Sequence, residues 1–198
     1  MMADSLKPEN ASEEITYAAR PRMIGPGSRF RLCDGVLEWS VGVRSGTLRL
    51  ADVTSVRLSY HPGQLAAPNY EMRLRGRDGT DLKIGSLSRT SITGVEDNRA
   101  AFSAFVRAVH SGLRGRAGVD YAAGLPRWRW WLMSALAVVT GCGLLAVLFT
   151  AIGNAQWTVT AVLAILCPVL AWPLVETLWR NIPADYAPDA LPPRLVPA

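Results

Sequence analysis

Few residues in this chain have types and spacings that could do chemistry. Arg73, Arg75 and Arg77 recur at every second position, and Lys83 follows across Gly76-Arg77-Asp78-Gly79. Alternate side chains of a strand share a face, so these four cations can stand on the outer surface of one hairpin, an expected face for an anionic headgroup or an acidic protein segment. A plain solvated face, whose arginines discourage edge pairing, is the competing reading. His61 lies beside Pro62 in a loop, and His110 lies on a helix away from its apolar stripe; neither has a second ligand at metal spacing. Cys33 stands beside a turn with no base nearby in sequence. No phosphate-cradling glycine loop, H-E-x-x-H or G-x-S-x-G pattern occurs. The expectation is a protein that is not an enzyme, with no catalytic, cofactor-binding or metal-binding residue.

The elements that must position these residues are dominated by two apolar runs, Trp131 to Ile152 and Trp157 to Leu178, joined by Gly153-Asn154-Ala155-Gln156. The first carries no charge, and a helix of about 20 residues spans a hydrocarbon core about 30 Å thick. Backbone in lipid must satisfy its own hydrogen bonds, so the runs predict two transmembrane helices, 130–153 and 157–179, forming an antiparallel hairpin. Too little chain remains to wrap both as buried helices of a soluble core. Arg114, Arg116, Arg127 and Arg129 precede the first span, Arg180 and Arg194 follow the second, and the connection is uncharged. This predicts both termini on the cytoplasmic side, with Trp128, Trp130, Trp131, Trp157 and Trp179 as interfacial anchors. Ser134, Ala137 and Gly141 form a small-residue line for close helix packing, either with the second span or with another copy. Glu176, near Trp179 and Arg180, is expected to reach the interface rather than relay protons. Cys142 and Cys167 read as small packing residues near mid-span.

The rest of the chain reads as a β domain. Phe30 and Leu32 alternate with Arg29 and Arg31, Asp34-Gly35 supplies a tight turn, and Leu37, Trp39 and Val41 continue the alternation. Thr47 to Leu50, Val53 to Tyr60, Tyr70 to Arg75 and Thr80 to Gly85 complete a meander of about six strands. A helix capped by Asp97 or Asn98 presents Phe102, Phe105, Val109 and Leu113 as one apolar stripe to close the core. Residues 1–27 mix charge with proline and are expected to be a disordered tail, in which the Asn10-Ala11-Ser12 glycosylation triplet is accidental. No apolar signal segment opens the chain. Residues 117–129 read as a juxtamembrane linker and 180–198 as a proline-rich extended tail. Net charge is +5, and the stretch from Arg29 to Asp120 holds 14 Lys/Arg against 9 Asp/Glu. That modest excess suits a domain beside an anionic leaflet and falls short of a nucleic-acid binder, so no nucleic-acid partner is expected.

The Phe30-to-Leu37 hairpin, the Leu50-to-Leu58 stretch and the Phe102/Phe105 helix together resemble the pleckstrin-homology superfold in its bacterial, membrane-linked versions, over Ser28 to about Leu113. The resemblance implies an α+β fold: a PH-like curled antiparallel β-sheet or barrel over 28–116, capped by one C-terminal α-helix and followed by the transmembrane hairpin. It also looks like a class of small bacterial inner-membrane proteins, which adds a location and no reaction. Asp34-Gly35 makes the first loop minimal and acidic, where lipid-reading members carry a long basic one. The expected role is a membrane-tethered, non-enzymatic interaction or scaffold module. The alternative is a small accessory subunit of a transporter or envelope complex, with the hairpin as the working part. Expected partners are the lipid bilayer, another membrane protein or further copies of the chain, and anionic lipid headgroups.

Overall fold

The computed structural model describes residues 14–19, 27–62, 68–89 and 95–197. The expected hairpin forms as β2 (Ser28–Cys33) and β3 (Val36–Val41), and Asp34 and Gly35 take the positive φ values, 50° and 73°, that a tight hairpin turn requires. β4 (Arg44–Arg49) continues the meander. The chain then turns through Leu50–Asp52 into β5 (Val53–His61), β6 (Asn69–Gly76) and β7 (Asp81–Gly85), followed by a small pair, β8 (Leu87–Arg89) and β9 (Val95–Asp97). In α1 (Arg99–Leu113) the four stripe residues Phe102, Phe105, Val109 and Leu113 are fully buried. The apolar period of the helix thus does what its spacing dictates, and closes the core between the sheets.

Three segments depart from expectation. Within 1–27, Ile15–Ala19 is a strand, β1, antiparallel to β2 with Tyr17 opposite Phe30. Tyr17 is 2 % exposed, stacks on Phe105 at 5.6 Å and donates its hydroxyl to Gly85 O at 2.6 Å. One aromatic ring therefore ties the first sheet to the last strand of the second. Asn10-Ala11-Ser12 lies outside the described residues. Within 117–129, Asp120–Ala123 is a strand, β10, which runs parallel to β5 from Ser55 to Leu58. The third departure is the largest. The chain leaves through α2 (Arg127–Gly153), returns through α3 (Trp157–Arg180), and then re-enters the β domain instead of trailing off. A two-residue strand, β11 (Ala184–Asp185), pairs with β10, and Leu195 and Val196 are 0 % and 7 % exposed in the core. Proline-rich composition argued for a solvated tail, but Tyr186, Leu191, Leu195 and Val196 supply enough apolar surface to pin it.

Among the described residues the architecture is α+β: a four-stranded sheet in the order β1-β2-β3-β4, a five-stranded sheet in the order β11-β10-β5-β6-β7, the β8-β9 pair and three α-helices. The β10-β5 pair is parallel, so the second sheet is mixed rather than wholly antiparallel, and the two main sheets share no strand pairing that would close a barrel among the described residues. Both α2 and α3 are long and apolar enough to cross a membrane, and their apolar windows are 6 % and 0 % buried. The hairpin is an insertion within the β domain. Its two roots touch: Leu125 N donates to Asn181 O at 3.2 Å, and Gly124 sits at φ +75° where a Cβ would come within 2.7 Å of Ile182 O. Only glycine allows that crossing.

Candidate functional site

The second sheet turns Val56, Leu58, Met72, Leu74, Leu82 and Ile84 inward, so the residues between them face outward. Register sets the outer face. Arg57 lies opposite Arg73, and Arg73 opposite Lys83, giving a row of three cations across β5, β6 and β7. One step along, Asp120, Ser55, Arg75 and Asp81 form the next row. Three of the four predicted cations, Arg73, Arg75 and Lys83, therefore share this face. Arg77 does not: it is exposed in the β6–β7 turn, where its backbone N–H donates to Asp52 O at 2.8 Å.

These cations differ in how free they are. Arg73 grips Asp81 with two donors, its Nε at 2.6 Å from Oδ1, and this pairing holds the Asp81 carboxyl below the usual carboxylate range. Arg75 is 3.8 Å from the same carboxylate. Arg57, absent from the predicted set, is half-buried and makes one hydrogen bond, from Nη1 to Gly124 O at 3.3 Å. Among the described residues it has no carboxylate within ion-pair distance. Burial first, then the positive charges of Arg75 and Arg73, lower its proton affinity. The alternation Val56-Arg57-Leu58 already put Arg57 on the outer face; its place beside Arg73 depended on the β5–β6 register, which sequence does not show.

A second cluster sits where α3 meets the sheet. β10 ends at Ala123, and beyond it the Asn181 side chain takes over the edge of β5: Tyr60 N donates to Asn181 Oδ1 at 2.9 Å, and Asn181 Nδ2 donates to Tyr60 O at 2.6 Å and Thr177 O at 2.9 Å. Glu176 Oε1 accepts from Arg180 Nε at 2.9 Å and from the Tyr60 hydroxyl at 3.1 Å, while the Arg180 guanidinium lies 4.8 Å from the Tyr60 ring centroid. Burial and the neighbouring carboxylate push the Tyr60 hydroxyl up to about 12. Glu176 is thus an ion-paired tie between helix and sheet.

The remaining predicted residues fall as follows. Trp128, Trp131, Trp157 and Trp179 are exposed, but Trp130 donates its indole N–H to Leu178 O at 2.9 Å and joins the two helices. Ser134, Ala137 and Gly141 are of intermediate exposure, and a Cβ added at Gly141 would meet nothing within 4 Å, so that position of the small-residue line is open to a neighbour. Cys33, Cys142 and Cys167 are free thiols, and partial burial together with Asp34 pushes the Cys33 thiol up, away from nucleophilic use. His61 is half-exposed, 3.8 Å from Glu71. No group of three metal-ligating side chains occurs among the described residues.

No family model, curated protein or solved structure matches the chain.

His110 corrects the sequence reading, since it is 2 % exposed rather than outside the packed face. Its Nδ1 is 2.7 Å from Val106 O, which can only accept, so Nδ1 carries the hydrogen and Nε2 accepts from the Tyr186 hydroxyl at 2.8 Å. The helix thereby holds the returning C-terminal segment. Burial lowers the proton affinity of this imidazole. The unfolded imidazole takes up a proton near pH 6.5 and the folded one resists, so protons favour unfolding. Stability should be full above about pH 6.5 and fall as the pH drops below it. Thermal unfolding of wild type and His110→Leu across this window checks it: the variant, less stable at neutral pH for want of the Tyr186 partner, should lose that slope.

Proposed function

We propose that this chain is a bilayer-anchored, non-enzymatic interaction module, with the hairpin in the membrane and the outer face of the second sheet held at the cytoplasmic surface. The observation that carries it is the joint rooting of α2 and α3 in the sheet domain at Gly124, Leu125 and Asn181, combined with a hairpin on which the large side chains Leu136, Val139, Ile165 and Trp172 are 65–70 % exposed and many others are exposed to an equal or lesser degree. Surfaces of that size and apolarity need lipid or protein around them. The arginines before α2 and after α3 favour the cytoplasmic side for both termini. A curled sheet stack closed by one helix is consistent with a PH-like domain of a bacterial inner-membrane protein. The four-stranded meander, the second sheet and α1 support that assignment, and β10, β11 and the inserted hairpin would be additions to it.

The accessory-subunit reading draws on the same exposed apolar band, which another helix could cover. Photo-crosslinking of the full chain in native membranes separates the two. Probes at Lys83 on the sheet and Val139 on α2 should both report, the first capturing a protein or headgroup and the second lipid. Capture of a protein through Val139 alone would favour the accessory subunit. Release of the intact chain by alkaline carbonate would overturn the anchoring.

A further inference from the structure

A cleft of about 580 Å³ opens on the outer face of the second sheet, between β5 and β6 on one side and the β10–β11 pair on the other. Ser55, Arg57, Arg73 and Arg75 line it, together with Asp185 and with Asp120, which lies across from Ser55. We propose that this cleft binds a phosphoryl group, with Arg57 and Arg75 as the principal cationic contacts and Ser55 as a hydroxyl donor; the proposal deepens the interaction-module reading by naming the ligand chemistry on the same face.

Geometry selects a tetrahedral anion. Ser55 is opposite Arg75, and Arg57 is opposite Arg73, so the four side chains mark the corners of a quadrilateral on the pleated surface. Opposed residues in such a ladder lie about 5 Å apart and alternate residues on one strand about 7 Å. With the Arg73 corner held by Asp81, a phosphoryl group can offer one terminal oxygen each to Arg57, Arg75 and Ser55, where a carboxylate has only two oxygens to give. Charge accounting agrees. Asp81 is gripped by Arg73 and touched only at 3.8 Å by Arg75, and Arg57 has Asp185 in its field without a direct ion pair, so neither Arg57 nor Arg75 is held by a close carboxylate among the described residues. Arg57 is the unusual member. A half-buried guanidinium with one carbonyl acceptor is under-solvated, and two like charges stand beside it. An entering dianion would relieve both penalties.

The cleft adjoins the roots of the hairpin. Its far wall consists of Val119 to Ala122 and Asp185-Tyr186, the segments that lead directly into α2 and out of α3. A neighbouring hollow, which shares Arg57, Ala122 and Asp185 with it, continues to Pro126 and Arg127 at the start of α2. The phosphoryl group could therefore belong to a lipid headgroup reached from the α2 end, or to a free phosphate compound.

Titration of the full chain in zwitterionic phosphatidylcholine nanodiscs with inorganic phosphate and, separately, with short-chain phosphatidic acid tests this. Saturable binding of at least one probe is expected. It should weaken about tenfold in Arg57→Gln, as for loss of one charge-assisted contact, and stay unchanged in Arg44→Gln. Phosphatidic acid without inorganic phosphate identifies a lipid source, and binding of both a free phosphate compound. If Arg57→Gln does not fold, Ser55→Ala with Arg75→Gln replaces it. No saturable binding of either probe, or binding indifferent to these substitutions, overturns the proposal. Carbonate extraction of the same protein is scored separately, so loss of the phosphoryl site and loss of membrane anchoring are told apart.

Discussion

Replacing Asn181 with alanine should destabilise the sheet domain by on the order of 3–5 kcal/mol. Asn181 is fully buried, and its amide completes the backbone pairing of Tyr60 where β10 has run out. Alanine would leave the Tyr60 N–H and C=O unpaired in a site that water does not reach, each at about 1–3 kcal/mol, and would open a small cavity beside Thr177. Urea unfolding of the full chain in detergent micelles, with hydrogen exchange read at the Tyr60 amide, measures it. Exchange at Tyr60 should rise far more than at Leu32 in the other sheet. A loss below about 1 kcal/mol would show that something else completes the strand.

A fragment covering residues 14–116, which is the 28–116 β domain delimited by sequence periodicity extended to include β1, should fail to fold. It lacks β10, β11 and the core residues Ala123, Leu195 and Val196. Leu195 is 0 % exposed, so Leu195→Ala alone should cost about 2–5 kcal/mol in the full chain. The counterpart is a water-soluble domain: residues 14–125 joined by a short glycine-serine link to 181–197, feasible because Leu125 N and Asn181 O are already 3.2 Å apart. Circular dichroism and amide dispersion should show this joined form folded and the 14–116 form unfolded. Folding of the shorter fragment would mean that the returning segment decorates the core without completing it.

What sequence revealed was whatever depends on local period. The Asp34-Gly35 turn, the Phe102/Phe105/Val109/Leu113 stripe and the two long apolar helices were all legible, because each is specified within about 20 residues. The misread stretches are those whose structure is decided by a distant partner. Ile15-Thr16-Tyr17-Ala18-Ala19 does alternate, but five residues among prolines and charges carry little weight until Phe30 lies across from Tyr17. Asp120 to Ala123 becomes a strand because β5 offers an edge more than 60 residues away. His110 lies off the apolar stripe in sequence, and its partner Tyr186 comes from beyond the hairpin, 76 residues on. On the candidate surface, the arginines of β6 were evident from their spacing, whereas Arg57 joined them only through register.

The meeting of Gly124 and Leu125 with Asn181 also bears on the order in which the molecule can be made. Ribosomes deliver β1 first and Leu195 last, so the early strands wait, lacking part of their interior, while both greasy helices are synthesised. The residues made after α3 complete that interior, so the domain can be sealed only once the whole hairpin exists.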